Sequence, residues 1–160
     1  MDAATLPADF VTGATVCEGG LGSYCCTTPA FANDGELLIV PDPANHRIVA
    51  FHTADRTVAW TIGGEEGKED GQLNGPRAVF VLPGGTAGLL VVVDNGNHRL
   101  QWFDLATRAH IRTVGKRGDG ALEFDGPQGG CVMGSGDIAV ADTGNHRIQT
   151  LDPEIGRAHV

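Results

Sequence analysis

Aromatic residues make up only 6% of this 160-residue chain, and its 11 lysines and arginines face 20 aspartates and glutamates. The scarcity of aromatics, set beside 24 glycines and 8 prolines, suits short strands and tight turns better than long helices. The shortage of cations, a net charge of −9, argues against a nucleic-acid or anionic-membrane surface, since both need clustered positive charge. No run approaches the roughly 18 apolar residues of a membrane span, and no apolar segment follows Met1 as in a secretory signal. The expectation is a soluble protein of the cytoplasm or nucleus. The length suits one domain, covering residues 1–160.

Other absences narrow the chemistry, and the expectation is that the chain is not an enzyme. Cys25 and Cys26 are neighbours and Cys17 and Cys131 stand apart, so no C-x-x-C spacing suggests zinc or a redox pair. Buried or idle thiols are the expected state. The only serines, Ser23 and Ser135, lie outside any Gly-x-Ser-x-Gly, which leaves nucleophilic catalysis without a candidate. The paired carboxylates Glu65 and Glu66 sit in a polar stretch with no apolar pocket to raise a pKa. Gly67-Lys68 lacks P-loop spacing, and Glu69 stands where Ser or Thr should hold magnesium. The same acidic stretch lacks the alternating oxygen ligands of a calcium loop. No metal and no cofactor is expected. Arg117-Gly118-Asp119, a tripeptide read by adhesion receptors, is taken as chance.

What the chain does have is repetition. "LLIVPDPANHRIVAFH" (37–52), "LLVVVDNGNHRLQWFD" (89–104) and "DIAVADTGNHRIQTLD" (137–152) place Asn-His-Arg at 45–47, 97–99 and 145–147. The flanks repeat as well, "GQLNGPRAVFV" (71–81) matching "GALEFDGPQGGCV" (120–132). Three repeats are read at approximately 19–63, 71–115 and 120–160. In the middle one the apolar runs predict strands over Ala78–Leu82, Leu89–Asp94, His98–Phe103 and His110–Val114. Four short antiparallel strands at this period indicate a propeller blade.

The recurring polar cluster is Asp42, Asn45, His46 and Arg47, then Asp94, Asn97, His98 and Arg99, then Asp142, Asn145, His146 and Arg147. It looks like chemistry but reads first as a turn. Asn95-Gly96 and Thr143-Gly144 sit where glycine is expected to supply a positive φ. The aspartates can accept N–H bonds across the turn, and the asparagines can do the same or adopt the left-handed conformation. Alternation puts Arg99, Gln101 and Phe103 on one face and His98, Leu100 and Trp102 on the other. Each arginine is expected to reach a carboxylate or carbonyl on the turn or a neighbouring blade. One histidine per blade cannot share a zinc ion, whose ligands must lie within about 2 Å of it. The first copy departs, with Pro43-Ala44 in place of Asn-Gly or Thr-Gly and Pro41 inside its second strand, where a ladder N–H is lost.

Asp-x-x-Asn-His-Arg-Ile/Leu, preceded by Gly-Pro and apolar strands, resembles the NHL repeat, whose family builds six-bladed β-propellers. The resemblance implies an all-β fold: a partial propeller of about three four-stranded antiparallel blades, half of a six-bladed ring. Residues 10–16 resemble an orphan outer strand. Two accounts fit: a piece of a longer six-bladed chain, or two copies closing one ring as a homodimer.

The family also implies binding. Its propellers recruit substrates in RING-type ubiquitin ligases, bind RNA, and form sensor ectodomains; a secreted zinc lyase of peptide amidation is similar to them. The expected function is a non-catalytic scaffold for a protein partner, with RNA binding as the alternative and the lyase a weaker one. RNA would need a basic face, for which Arg108, Arg112, Lys116 and Arg117 are the candidates. The partner-binding candidates are loop residues: Glu65, Glu66, Glu69 and Asp70 in an acidic loop, and Lys116, Arg117 and Asp119 in a basic one. Both loops follow equivalent strands and should share a face.

Overall fold

Among the described residues, runs of Val, Ile and Leu broken by turn residues fold into twelve short strands in three separate four-stranded antiparallel sheets. The computed structural model describes residues 27–83, 88–153 and 158–159; the candidate strand at 10–16 and Cys17, Cys25 and Cys26 lie outside the described residues. Blade one comprises β1 (Ala30–Ala32), β2 (Leu37–Asp42), β3 (Arg47–His52) and β4 (Val58–Gly63). Blade two comprises β5 (Pro76–Leu82), β6 (Leu89–Asp94), β7 (Arg99–Asp104) and β8 (His110–Val114). Blade three comprises β9 (Pro127–Val132), β10 (Ile138–Asp142), β11 (Arg147–Leu151) and β12 (Ala158–His159). Consecutive strands are neighbours in every sheet, as in the up-and-down blades of a propeller.

The first strand of each blade is innermost, since β5 packs on both β1 and β9. Backbone bonds tie the first two blades where Thr28 N–H donates to the Arg77 carbonyl and Val79 N–H to that of Thr28, each at 3.0 Å. Alternation gives each blade two faces, and the core consists of two seams between them. In the first, Ile39, Ile48 and Ala50 of blade one meet Val79, Leu90, Val92 and Phe103 of blade two. In the second, Phe80, Val91, Leu100 and Trp102 of blade two meet Ile138, Val140 and Leu151 of blade three. Arg99, Gln101 and Phe103 thus share one face, and Leu100 and Trp102 the other.

His98 is the correction. It precedes β7 and occupies the turn, at φ 55°. His46 and His146 do the same at 51° and 53°. The left-handed residue of each turn is therefore the histidine and not the glycine or asparagine. Gly96 and Gly144 serve space instead. Their N–H groups donate to the Asn74 and Asp125 carbonyls at 2.9 and 2.7 Å. A Cβ on either glycine would lie 2.5–2.8 Å from the Asn74 or Asp125 atoms nearest it. Pro43-Ala44 in the first copy leaves the turn unchanged: a single 3-10 turn over Pro43–Asn45 closes on left-handed His46. Pro41 stays within β2, opposite Ile48.

Candidate functional site

Chain direction sorts the connections into two ends. Hairpins joining the first to the second strand, and the third to the fourth, lie at one end. The Asn-His-Arg turns lie at the other, with the long connections 64–75 and 115–126 that lead from one blade's outer strand to the next blade's inner strand. The acidic and basic loops therefore share the end that carries the repeated cluster.

Each long connection folds back on a buried apolar anchor, Leu73 or Phe124. In the first, Gly67 N–H donates to the Leu73 carbonyl at 3.1 Å and Gln72 N–H to that of Glu69 at 3.0 Å. In the second, Gly118 N–H donates to the Phe124 carbonyl at 3.1 Å and Phe124 N–H to that of Lys116 at 2.9 Å. One apolar residue two places before each Gly-Pro is the sequence signal for this anchor, and it is absent from the motif reading.

The cluster clamps these loops from below. Asp94 is fully buried, and its Oδ1 accepts the Asn74 N–H at 2.7 Å. Its Oδ2 accepts from Asn97 Nδ2, Arg99 Nε and Gln101 Nε2 at 2.9, 2.8 and 3.1 Å. Arg99 then donates from Nη1 to the Lys68 carbonyl and from Nη2 to those of Glu69 and Gln72, at 2.8–2.9 Å. Asn97 reaches the Gly67 carbonyl at 2.8 Å and Gln101 that of Gln72 at 2.6 Å.

Blade three repeats the arrangement. Asp142 accepts from Asp125 N–H, Asn145, Arg147 and Gln149 at 2.7–3.0 Å. Arg147 donates to the carbonyls of Asp119, Gly120 and Glu123. Burial pushes the Asp142 carboxyl up, but hydrogen bonds from Asn145, the Asp125 N–H, Arg147 and Gln149 outweigh it and hold it below 3.8. In blade one, Asp42 accepts from Asn45 at 2.9–3.0 Å and from Arg47 Nε at 2.7 Å. Val49 stands there in place of the glutamine. Gln101 and Gln149 are members of the network that the motif reading missed; their recurrence two places after Arg in two of the three copies is the available signal.

The histidines join blades. His46 Nδ1 accepts the Gly75 N–H at 3.2 Å, and His98 Nδ1 that of Gly126 at 2.9 Å, each immediately before the next blade's first strand. Asp125 Oδ1 lies 3.3 Å from the same His98 nitrogen.

The loop candidates divide. Glu66 accepts from Asn74 Nδ2 at 2.9 Å and Asp70 from Thr113 Oγ1 at 2.7 Å. Glu65 and Glu69 are exposed, and their carboxylates have no hydrogen bond or ion pair among the described residues. In the basic loop, Lys116 pairs with Glu123 at 3.0 Å and Arg117 with Asp125 at 3.4 Å. The Lys116 hydrogen bond, with the Gly120 N–H, holds the Glu123 carboxyl below its ordinary value. Arg117, Asp119, Asp125 and Asn145 line a shallow, open pocket of about 210 Å³.

The four basic candidates do not form one patch. Arg108 lies at the opposite end of the blade from Lys116 and Arg117. Arg112 stacks 4.4 Å above the Trp102 ring and donates to the Pro153 carbonyl, bridging blades two and three.

Comparison with known proteins agrees with this architecture. Residues 124–151 match the NHL repeat family. RING finger protein nhl-1 of Caenorhabditis elegans is 37% identical over 68 residues, which are 42% of this chain and 7% of that protein. The chain thus matches a small part of that relative's length. Among solved structures, U3-55K superposes with a TM-score of 0.64 at 12% identity, over 84% of this chain and 38% of its own. Hydrazine synthase of Kuenenia stuttgartiensis gives 0.63 at 18% identity, over 82% of this chain and 34% of its own. Virginiamycin B lyase of Staphylococcus aureus gives 0.60 at 11%, over 82% and 39%. At such identities the likeness is one of fold, and the fold is three blades of a β-propeller. The Asp-x-x-Asn-His-Arg cluster recurs in three successive blades, and in the third the stretch 124–151 matches the NHL repeat.

Proposed function

We propose that this chain is a non-catalytic recognition scaffold that binds a protein partner through the loop end of the propeller. One observation carries the reading: the cluster grips both long connections by their backbones and, apart from the buried Leu73 and Phe124, leaves their charged side chains at 65, 66, 68–70, 116, 117 and 119 exposed. Binding residues on loops held by a rigid framework are the usual arrangement for recognition. The two loops differ in what they offer. Lys116 and Arg117 are satisfied within their own loop, whereas Glu65 and Glu69 present open carboxylates. The acidic connection is therefore the leading contact, with the basic one shaping the surface beside it. The name of the C. elegans relative supports a narrower proposal, that the scaffold recruits substrates for a ubiquitin-ligase-type protein.

Affinity capture followed by mass spectrometry tests this, comparing the native chain with a Glu65→Gln/Glu69→Gln variant and a Lys116→Gln/Arg117→Gln variant. The acidic-loop variant is expected to lose captured proteins, the basic-loop variant to lose fewer, and both to keep native resistance to urea. Equal capture by all three would remove these loops from the site. Capture that disappears on nuclease treatment and falls steeply with salt would replace a protein partner by RNA.

A further inference from the structure

We propose that two copies of this chain associate head to tail, the forward face of blade three in one copy packing on the rear face of blade one in the other. Both internal seams mix large and small side chains: Ala32 and Ala50 lie with Ile39 and Ile48 opposite Leu90 and Phe103 in the first, and Phe80 and Trp102 lie opposite a face of Gly130, Ile138, Val140 and Leu151 in the second. Such interdigitation lets interiors reach crystal-like density without voids.

The forward face of blade three is a small one. Cys131, Ala139, Ala141 and Thr150 hold the registers that Phe80, Val91, Val93 and Trp102 hold in blade two. Ile148 holds that of Leu100, which is fully buried, yet Ile148 is 66% exposed. A thin face calls for a bulky partner, and blade one presents one at its rear. Phe31 and Leu38 there occupy the registers of Val81 and Leu90, and Phe31 is 63% exposed.

The polar latch also continues. His46 and His98 each accept a backbone N–H from the start of the following blade. His146 has the same left-handed backbone, is exposed, and its ring has no partner among the described residues. It is a third acceptor in the same series, placed for an N–H of a further blade. Two copies related by a two-fold axis would make two identical seams and close on themselves.

Light scattering on a size-exclusion column, across a dilution series, tests the proposal directly. A species at twice 16.6 kDa is expected, dissociating on dilution. Ile148→Glu and Phe31→Glu should each raise the dimer dissociation constant roughly thirtyfold or more, because a carboxylate would be buried at the centre of a seam. Ile111→Glu, on the bulged outer strand β8 and 50% exposed, should not. Mixing the two seam variants should restore a heterodimer, since one native seam re-forms between them. A wild-type monomer throughout the series would overturn the proposal and leave these faces to blades or partners outside the 160 residues. So would a dimer that persists in both seam variants.

Discussion

Replacing Arg99 by alanine is the sharpest test of the view that the repeated cluster is a clamp. The side chain is 9% exposed and pairs with the fully buried Asp94 at 2.8 Å. Its removal strips one bond from Asp94 and one donor from each of three loop carbonyls, Lys68, Glu69 and Gln72. Gln72 keeps Gln101, and Asp94 keeps Asn97, Gln101 and the Asn74 N–H. Breaking a buried ion pair from one side costs about 3–5 kcal/mol, or roughly 6–20 °C in melting temperature at this chain length. The repeats supply internal controls. Arg147, 32% exposed, makes the same kinds of bond and should cost less. Arg47, 42% exposed, bonds Asp42 alone among the described residues and on that bond should cost about 1 kcal/mol. Urea unfolding of the three alanine variants, followed by circular dichroism, should rank the losses Arg99, Arg147, Arg47. Equal losses, or the largest at Arg47, would refute the argument, because loop carbonyls would then contribute nothing.

The turn glycines and the buried carboxylates give further tests. Gly96→Ala and Gly144→Ala should each cost about 1–3 kcal/mol in urea unfolding, since the new methyl meets Asn74 or Asp125 at 2.5–2.8 Å. A native-like midpoint would show that those connections yield freely. Asp142 predicts the acid limb. Its carboxyl is held below 3.8 in the folded chain, so the stability it contributes is complete above that value and drains away as pH falls through the depressed folded value. Asp142→Asn should therefore be less stable at pH 7 and lose less further stability as the pH falls below the ordinary carboxylate range. A variant curve parallel to the wild type would assign the acid transition to other groups.

Strand positions and the blade period were legible because each strand announces itself twice, by alternating apolar residues and by turn residues at both ends. The predicted middle blade differs from the folded one mainly at His98. There the neighbouring glycine invites the wrong assignment: glycine usually supplies a positive φ, but in this turn its missing side chain admits the preceding connection, and histidine bears the left-handed backbone. Gln101 and Gln149 were hidden for a different reason. Alternation places Gln101 on the face of Arg99, but only the position of Asp94 or Asp142 on the adjacent strand makes the glutamine a buried donor to that carboxylate. The pairing of Lys116 with Glu123 and of Arg117 with Asp125 depends on the connection folding back over Phe124, which charge spacing alone does not reveal.

The chemistry of the cluster explains how one motif can support loops of opposite character. Arg99, Asn97 and Gln101 donate to main-chain carbonyls of the first connection, and Asp94 accepts a main-chain N–H from it. Arg147, Asn145, Gln149 and Asp142 do the same to the second. Apart from the buried Leu73 and Phe124, the grip reads backbone, which every residue has. The side chains of Glu65 and Glu69 in one loop and of Lys116 and Arg117 in the other therefore take no part in the bonds by which the cluster holds their connections. Backbone recognition is indifferent to the sign of the loop's charge, so the charge is free to be set by what the loop must meet. The Asp-Asn-His-Arg residues are thus the part of the molecule that makes a surface possible, and the connections they hold are the part that gives it an identity.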